Sequence, residues 1–238
     1  MPIAVYIKAP PKGIKVRNIK RERAFYGFIT AIGVSSIIFA AWPFIIWQVK
    51  VAPKLTAKAQ ESAPIPSSQV LSAKTILQSV QVVKDPDGFS YFTTNLKPQG
   101  QRSAEFSLTI PKLKIDNAQV KVDDLKFDNN LALFPGTALP GEVGNSFITG
   151  HSVLPEFANP KNYRAIFTNL SDLEIGDDIK VDMGNKTYNY TVQYSKIVDP
   201  KDTSVIAPIS ANGRNLTLMT CVPPGTSIKR LVIIASLL

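Results

Sequence analysis

Apolar positions along the chain change their spacing several times, and each change predicts a different element. Residues 24–49 contain no charged side chain. As a helix rising about 1.5 Å per residue, this run would reach about 39 Å, enough to cross a hydrocarbon core of about 30 Å with some tilt. Residues 50–66 (KVAPKLTAKAQESAPIP) are rich in Ala, Lys and Pro and keep no apolar period, which reads as a linker. Over residues 67–83 the apolar positions Val70, Leu71, Ile76, Leu77, Val80 and Val83 fall three and four apart, predicting a short amphipathic helix. Asp85-Pro86-Asp87-Gly88 then signals a turn. Phe89, Tyr91 and Phe92 after it are too aromatic for a free linker, so this stretch is expected to pack on the following domain.

From Phe106 onward, short β-rich segments alternate with turn signals: 106–110, 118–122, 131–134, 146–150, 178–183, 187–198, 215–221 and 229–237. Eight short strands predict a mainly β domain in the form of a closed or nearly closed barrel. Tyr163, Ile166, Phe167 and Leu170 are at helical spacing, which predicts a short helix over residues 161–170 with these side chains in the core.

Composition changes this picture little. With 238 residues and 45% hydrophobic content, the chain can bury one full core besides the apolar run. A net charge of +9 would suit a nucleic-acid partner, but six of those charges come from residues 1–24, where seven Lys and Arg meet only Glu22. A basic flank ahead of an apolar run marks a topogenic signal, not a phosphate-binding surface. The expected organisation is a basic cytoplasmic tail (1–24), a transmembrane signal anchor (25–49) with Trp42 and Trp47 at its far interface, an extracytoplasmic linker (50–103) and a β-rich domain (104–238). Ala57-Lys58-Ala59 is the competing cleavage pattern, but the apolar run is too long for a signal-peptide core and ends well before it.

The chemistry concentrates in residues 215–235, NLTLMTCVPPGTSIKRLVIIA, which read as two strands joined by a Pro-Pro-Gly loop. They place the single cysteine, Cys221, at the end of one strand and Arg230 at the start of the next. A lone cysteine at a strand end is often a small buried hydrophobe. The single histidine, His151, stands in SFITGHS where a strand runs into a turn. Nucleophile, proton carrier and oxyanion partner are the parts an acyl-transfer enzyme working through a thiol requires. Asp123, Asp124 and Asp128, or Asp177 and Asp178, have no convincing calcium-ligand spacing, no Cys/His cluster suggests zinc, and no cofactor is called for.

LTLMTC followed by KRLVIIA resembles the signature of the sortases, cysteine transpeptidases in which a Thr-Leu-x-Thr-Cys strand precedes an Arg-led strand. TGHS resembles the segment carrying the sortase histidine, and IPKLKID and FTNLSDLEIGDDIKV resemble other parts of that domain, so the likeness covers about residues 104–238. Met219 departs from the smaller or β-branched residue common there. The resemblance implies an eight-stranded sortase-like barrel with one or two short helices. It implies Cys221, His151 and Arg230 as nucleophile, acid/base and oxyanion group. The implied partners are surface proteins or pilins bearing a C-terminal LPxTG-like sorting signal, and an amine acceptor from a cell-wall precursor or a pilin lysine. CVPPGT after the cysteine is closer to the non-housekeeping and pilin-type members. Some sortases carry an N-terminal lid with Asp-Pro followed at once by an aromatic residue, whereas here two residues separate Asp85-Pro86 from Phe89. The alternatives are a cysteine hydrolase, an L,D-transpeptidase, whose usual Ser-His-Gly-Cys context is absent at Cys221, and an anchored β-domain that only binds.

Overall fold

The computed structural model describes residues 19–53, 55, 77–84, 90–96, 102–210 and 212–238. The basic residues before Ile19, most of the expected linker, the turn at 85–88 and Phe89 lie outside them. The chain divides after Pro43 into an N-terminal unit and a larger one. Helix α1 (Ile19–Ile46) begins in the first unit. Its stretch Arg23–Trp42 is long and apolar enough to cross a membrane. Phe25, Phe28, Ile37 and Phe39 all stand exposed. A helix of this length and composition is consistent with a signal anchor.

In the larger unit a π-helical turn, Trp47–Val51, follows. Trp47 and Leu55 are buried in the main hydrophobic core, with Val51 and Ala52 packed beside them. Trp47 is therefore a core residue and not the interfacial partner of Trp42 that the sequence suggests. Val51, Ala52 and Leu55, expected to open the linker, join the folded domain for the same reason.

Strands β1 (Val80–Lys84) and β2 (Ser90–Thr94) form an antiparallel hairpin with Val82 opposite Phe92. Of the helix expected over 67–83, residues 77–79 are helical, 80–83 belong to β1 instead, and 67–76 lie outside the described residues. Val80, Val82 and Val83 are stiff at χ1 and fit a pleated strand better than a helix.

The barrel is built from β3 (Glu105–Ile110), β4 (Ile115–Val122), β5 (Leu131–Leu133), β6 (Gly144–Thr149), β7 (Asp178–Met183), β8 (Lys186–Val198), β9 (Arg214–Val222) and β10 (Lys229–Leu237). These are the eight expected strands, and they close in the order β10-β8-β7-β3-β4-β5-β6-β9. Most neighbours are antiparallel, but β4 with β5 and β6 with β9 run parallel. Because side chains alternate along a strand, each strand feeds two clusters. Leu108, Ile110, Ile148, Leu216, Leu218, Leu231 and Ile233 fill the barrel. Phe147, Met219, Val232 and Ile234 point outward and are covered by Phe92, Phe134, Val205 and Ile206. By the same alternation Cys221 shares the outer face of Met219, and Arg230 that of Val232.

The helix expected over 161–170 is absent. The segment is a succession of turns closed by i to i+3 bonds: Ala165 N–H to Asn162 O at 2.8 Å, Thr168 N–H to Ala165 O and Leu170 N–H to Phe167 O at 3.1 Å. A 3-10 turn, Leu170–Asp172, ends it. The Asn162 side chain accepts from Arg164 N–H at 3.0 Å and so competes with helical bonding at the start. Ile166, Phe167 and Leu170 are nevertheless buried, as their spacing required.

Candidate active site

Cys221, near the end of β9, is directly opposite Arg230 at the start of β10. Residues so paired have Cβ atoms about 4.5–5.5 Å apart on one face of the sheet. Arg230 is only 3% exposed. Its Nη1 donates to the carbonyls of Ser227 (3.0 Å) and Lys229 (3.1 Å), which fixes the guanidinium against the loop between the strands. Burial pushes the Cys221 thiol above its ordinary value, and the Arg230 charge pulls the other way. The two effects oppose because low dielectric disfavours a thiolate and a nearby cation favours it.

His151 comes from the strand on the other side of β9. Parallel pairing of β6 with β9 runs to Thr149 opposite Met219, and three hydrogen bonds extend it past the strand end. Gly150 N–H donates to Met219 O (3.2 Å), Thr220 Oγ1 to Gly150 O (2.9 Å) and Ser152 Oγ to Cys221 O (2.7 Å). Thr220, one residue before the thiol and on the opposite face, thus fastens the histidine loop to the cysteine strand. Phe167 N–H adds a bond to His151 O at 3.0 Å. The three residues singled out in the sequence are therefore brought to one end of three adjacent strands, β6, β9 and β10.

Gly150 is a point of close approach. A Cβ there would stand 2.5 Å from Phe167 Cδ2 and 2.6 Å from Leu131 Cδ2, so any side chain displaces a neighbour or the backbone itself. Gly150→Ala is expected to cost about 1–3 kcal/mol in stability. By shifting the adjacent His151 it should also lower peptide turnover roughly tenfold to a hundredfold. Thermal melts and kcat/KM on the purified domain check both effects.

The surroundings of His151 are not legible in the sequence. The Phe127 ring lies 4.2 Å from the imidazole, tilted by 42°. Asp128 Oδ1 is 3.6 Å from His151 Nε2, an ion-pair separation too long for a hydrogen bond. Arg164 Nε is 3.6 Å from the same oxygen. Burial lowers the His151 pKa below the usual imidazole value; Asp128 raises it and Arg164 lowers it further. No spacing rule connects residues 127, 128, 151 and 164, which the fold alone assembles. Asp128 drew notice in the sequence only among acids weighed for calcium. Three others of that group have structural partners: Asp123 pairs with Arg102 at 2.8 Å, Asp124 accepts from Leu125 and Lys126 N–H, and Asp177 pairs with Lys112 at 2.9 Å.

Cys221 and Arg230 line a cleft whose walls are Tyr91 and Phe92 of β2 and Phe127 of the β4–β5 loop. Its free volume of about 50 Å³ accommodates a few waters but not a peptide. Phe92 packs on the domain in the outer cluster, as expected from its aromatic character, whereas Tyr91 lines the cleft and stays exposed. The Asp85-Pro86 motif and Phe89 lie outside the described residues.

A family model described as the sortase domain matches residues 108–238, more than half of the chain. Sortase D of Bacillus subtilis (strain 168) is 26% identical over 175 residues, which is 67% of this chain and 81% of that protein. A lid mutant of sortase A from Corynebacterium diphtheriae is 26% identical, with a TM-score of 0.50 over 70% of this chain and 90% of its own. Sortase C1 of Streptococcus agalactiae, 24% identical with a TM-score of 0.50 over 58% of this chain and 69% of its own, shares the fold.

Proposed function

The chain belongs to the sortase family of cysteine transpeptidases, and from that premise we propose a membrane-anchored, extracytoplasmic enzyme that cleaves a C-terminal LPxTG-like sorting signal and passes the acyl group to an amine. The N-terminus would lie in the cytoplasm and the barrel outside, as the basic flank and apolar helix favour. The observation that supports the site most is the pairing of Cys221 with Arg230 across β9 and β10, next to the strand that leads into His151.

On this reading the Cys221 thiolate attacks the carbonyl carbon after the signal's threonine, forming a C–S bond. Arg230, permanently charged and held by carbonyls of its own loop, would stabilise the resulting oxyanion. Collapse breaks the C–N bond, and the leaving amine takes a proton from the His151 imidazolium. An entering amine then attacks the thioester, gives its proton to the now neutral His151 and releases the thiolate. Burial acts on both partners against this charged pair, since it raises the thiol and lowers the imidazole. Both directions favour the thiol–imidazole pair over the thiolate–imidazolium pair that the scheme uses.

Product analysis distinguishes a transpeptidase from a hydrolase. Sorting peptides incubated alone should be cleaved slowly, and glycine peptides or lysine-bearing pilin fragments should divert the thioester into a new amide seen by mass spectrometry. Free acid at an undiminished yield with every acceptor would make the chain a hydrolase. No cleavage of any sorting peptide, with His151 dispensable in cells, would leave a binding domain.

A further inference from the structure

His151 has neighbours that the acyl-transfer scheme does not use. The loop between β4 and β5 delivers two consecutive side chains to it, the Phe127 ring against the imidazole face and the Asp128 carboxylate toward Nε2. Arg164, from the turns that follow the histidine loop, reaches the same carboxylate oxygen. We propose that Asp128 and Arg164 form an opposed charge pair that seats the His151 ring and governs its proton, an inference that rests for its catalytic meaning on the reading of Cys221 and His151 given above.

The physical argument is a competition at one oxygen. When His151 is protonated, Asp128 stands at ion-pair distance from a cation in a partly buried site, which favours the charged ring. Arg164 takes up part of that negative charge and adds a positive one nearby, which disfavours it. Phe127 limits where the ring can go and lines the Cys221 cleft on its other side, so the loop that carries the carboxylate also forms part of the thiol's surroundings. The other charged group lining the cleft near the thiol is Arg230, with Asp124 farther along the wall. Asp124 is engaged by Leu125 and Lys126 N–H. The Asp128 and Arg164 side chains are 55% and 70% exposed, so solvent and salt screen their influence. Asp128 is thus a positioning residue whose effect is graded and sensitive to ionic strength.

The chain has a single histidine, so in tag-free full-length protein its imidazole proton signal reports His151 alone. Asp128→Asn should move the NMR titration midpoint to lower pH and Arg164→Gln to higher pH, with both displacements shrinking as salt is added. Kinetics give a second, linked readout. If thiolate and imidazolium together are the reactive form, its fraction between the two limbs is set by the gap between the pKa values. Each unit by which the acid limb moves then changes the plateau of kcat/KM tenfold in the same direction. Asp128→Asn is expected to lower the plateau roughly threefold to tenfold with a matching displacement of the limb. Arg164→Gln should raise it. A merely structural lesion would depress the plateau and leave the limb in place, and that result, or an unchanged His151 titration in both variants, would overturn the inference. Opposite titration shifts in an enzyme whose turnover survives His151→Ala would instead uphold the charge pair and refute the catalytic reading.

Discussion

Replacing Cys221 with alanine is expected to reduce sorting-peptide turnover to the uncatalysed background while the barrel remains folded. The two effects separate because the thiol occupies a strand end on the outer face, only partly buried, where it contributes little to the packed interior. Removing one sulfur there should cost no more than about 1 kcal/mol in stability. Chemically the loss should be complete, since the nearby Ser152 hydroxyl is committed to the Cys221 carbonyl at 2.7 Å and is a far weaker nucleophile than a thiol. Thr220, the nearest hydroxyl in the sequence, is on the opposite face and committed to Gly150 O. A charged thiol reagent should alkylate the folded wild-type protein, slowly at neutral pH because burial keeps the thiol protonated. Circular dichroism, melting and turnover of the variant, with the alkylation rate of the wild type, test these statements together. Retained turnover in Cys221→Ala would remove the nucleophile from the scheme.

The second large effect is expected at Arg230. Arg230→Lys keeps a nominal cation but loses the planar fork that spans the Ser227 and Lys229 carbonyls through one nitrogen. Arg230 is nearly inaccessible to solvent. A lysine in its place loses its proton far more readily than a guanidinium, so the charge itself is at risk. Two consequences follow at once. The developing oxyanion loses a fixed donor, worth about 10²–10³ in rate, and the Cys221 thiol loses the one cation that opposes the effect of its burial. Activity should therefore fall by about two to three orders of magnitude, and alkylation of Cys221 should move to higher pH. Near-normal kcat/KM in Arg230→Lys would mean that a diffuse positive charge suffices at this position.

The parts of the fold that sequence made legible are those in which local preference and tertiary environment agree. Strands β7 to β10 were readable to within a residue or two because β-branched and aromatic residues alternate and because Gly, Pro and Asn interrupt them. The placement of Cys221 beside Arg230 was readable because β9 and β10 are neighbours in sequence as well as in space, and His151 stood out as the single histidine. Failures came where the apolar spacing fitted two periods. Val80, Val82 and Val83 belong to a strand, and Tyr163 to Leu170 keep their buried face in turns closed by i to i+3 bonds. Trp47 looked like a membrane-interface residue and is a core one, since burial against the barrel depends on contacts far away in sequence. The assembly of Phe127, Asp128 and Arg164 around His151 has the same cause, because three loops meet there and none announces the others.

The most direct measurement is the intact mass of the enzyme mixed with an LPxTG-like peptide and quenched in acid. The account predicts an adduct equal to the enzyme plus the peptide up to its threonine. The adduct should map to the Cys221 peptide, disappear with hydroxylamine or an acceptor amine as a new amide forms, and be absent in Cys221→Ala. Processing of the peptide with no such adduct under any quench, or an adduct that persists in Cys221→Ala, would contradict a thioester on Cys221 and with it the transpeptidase mechanism.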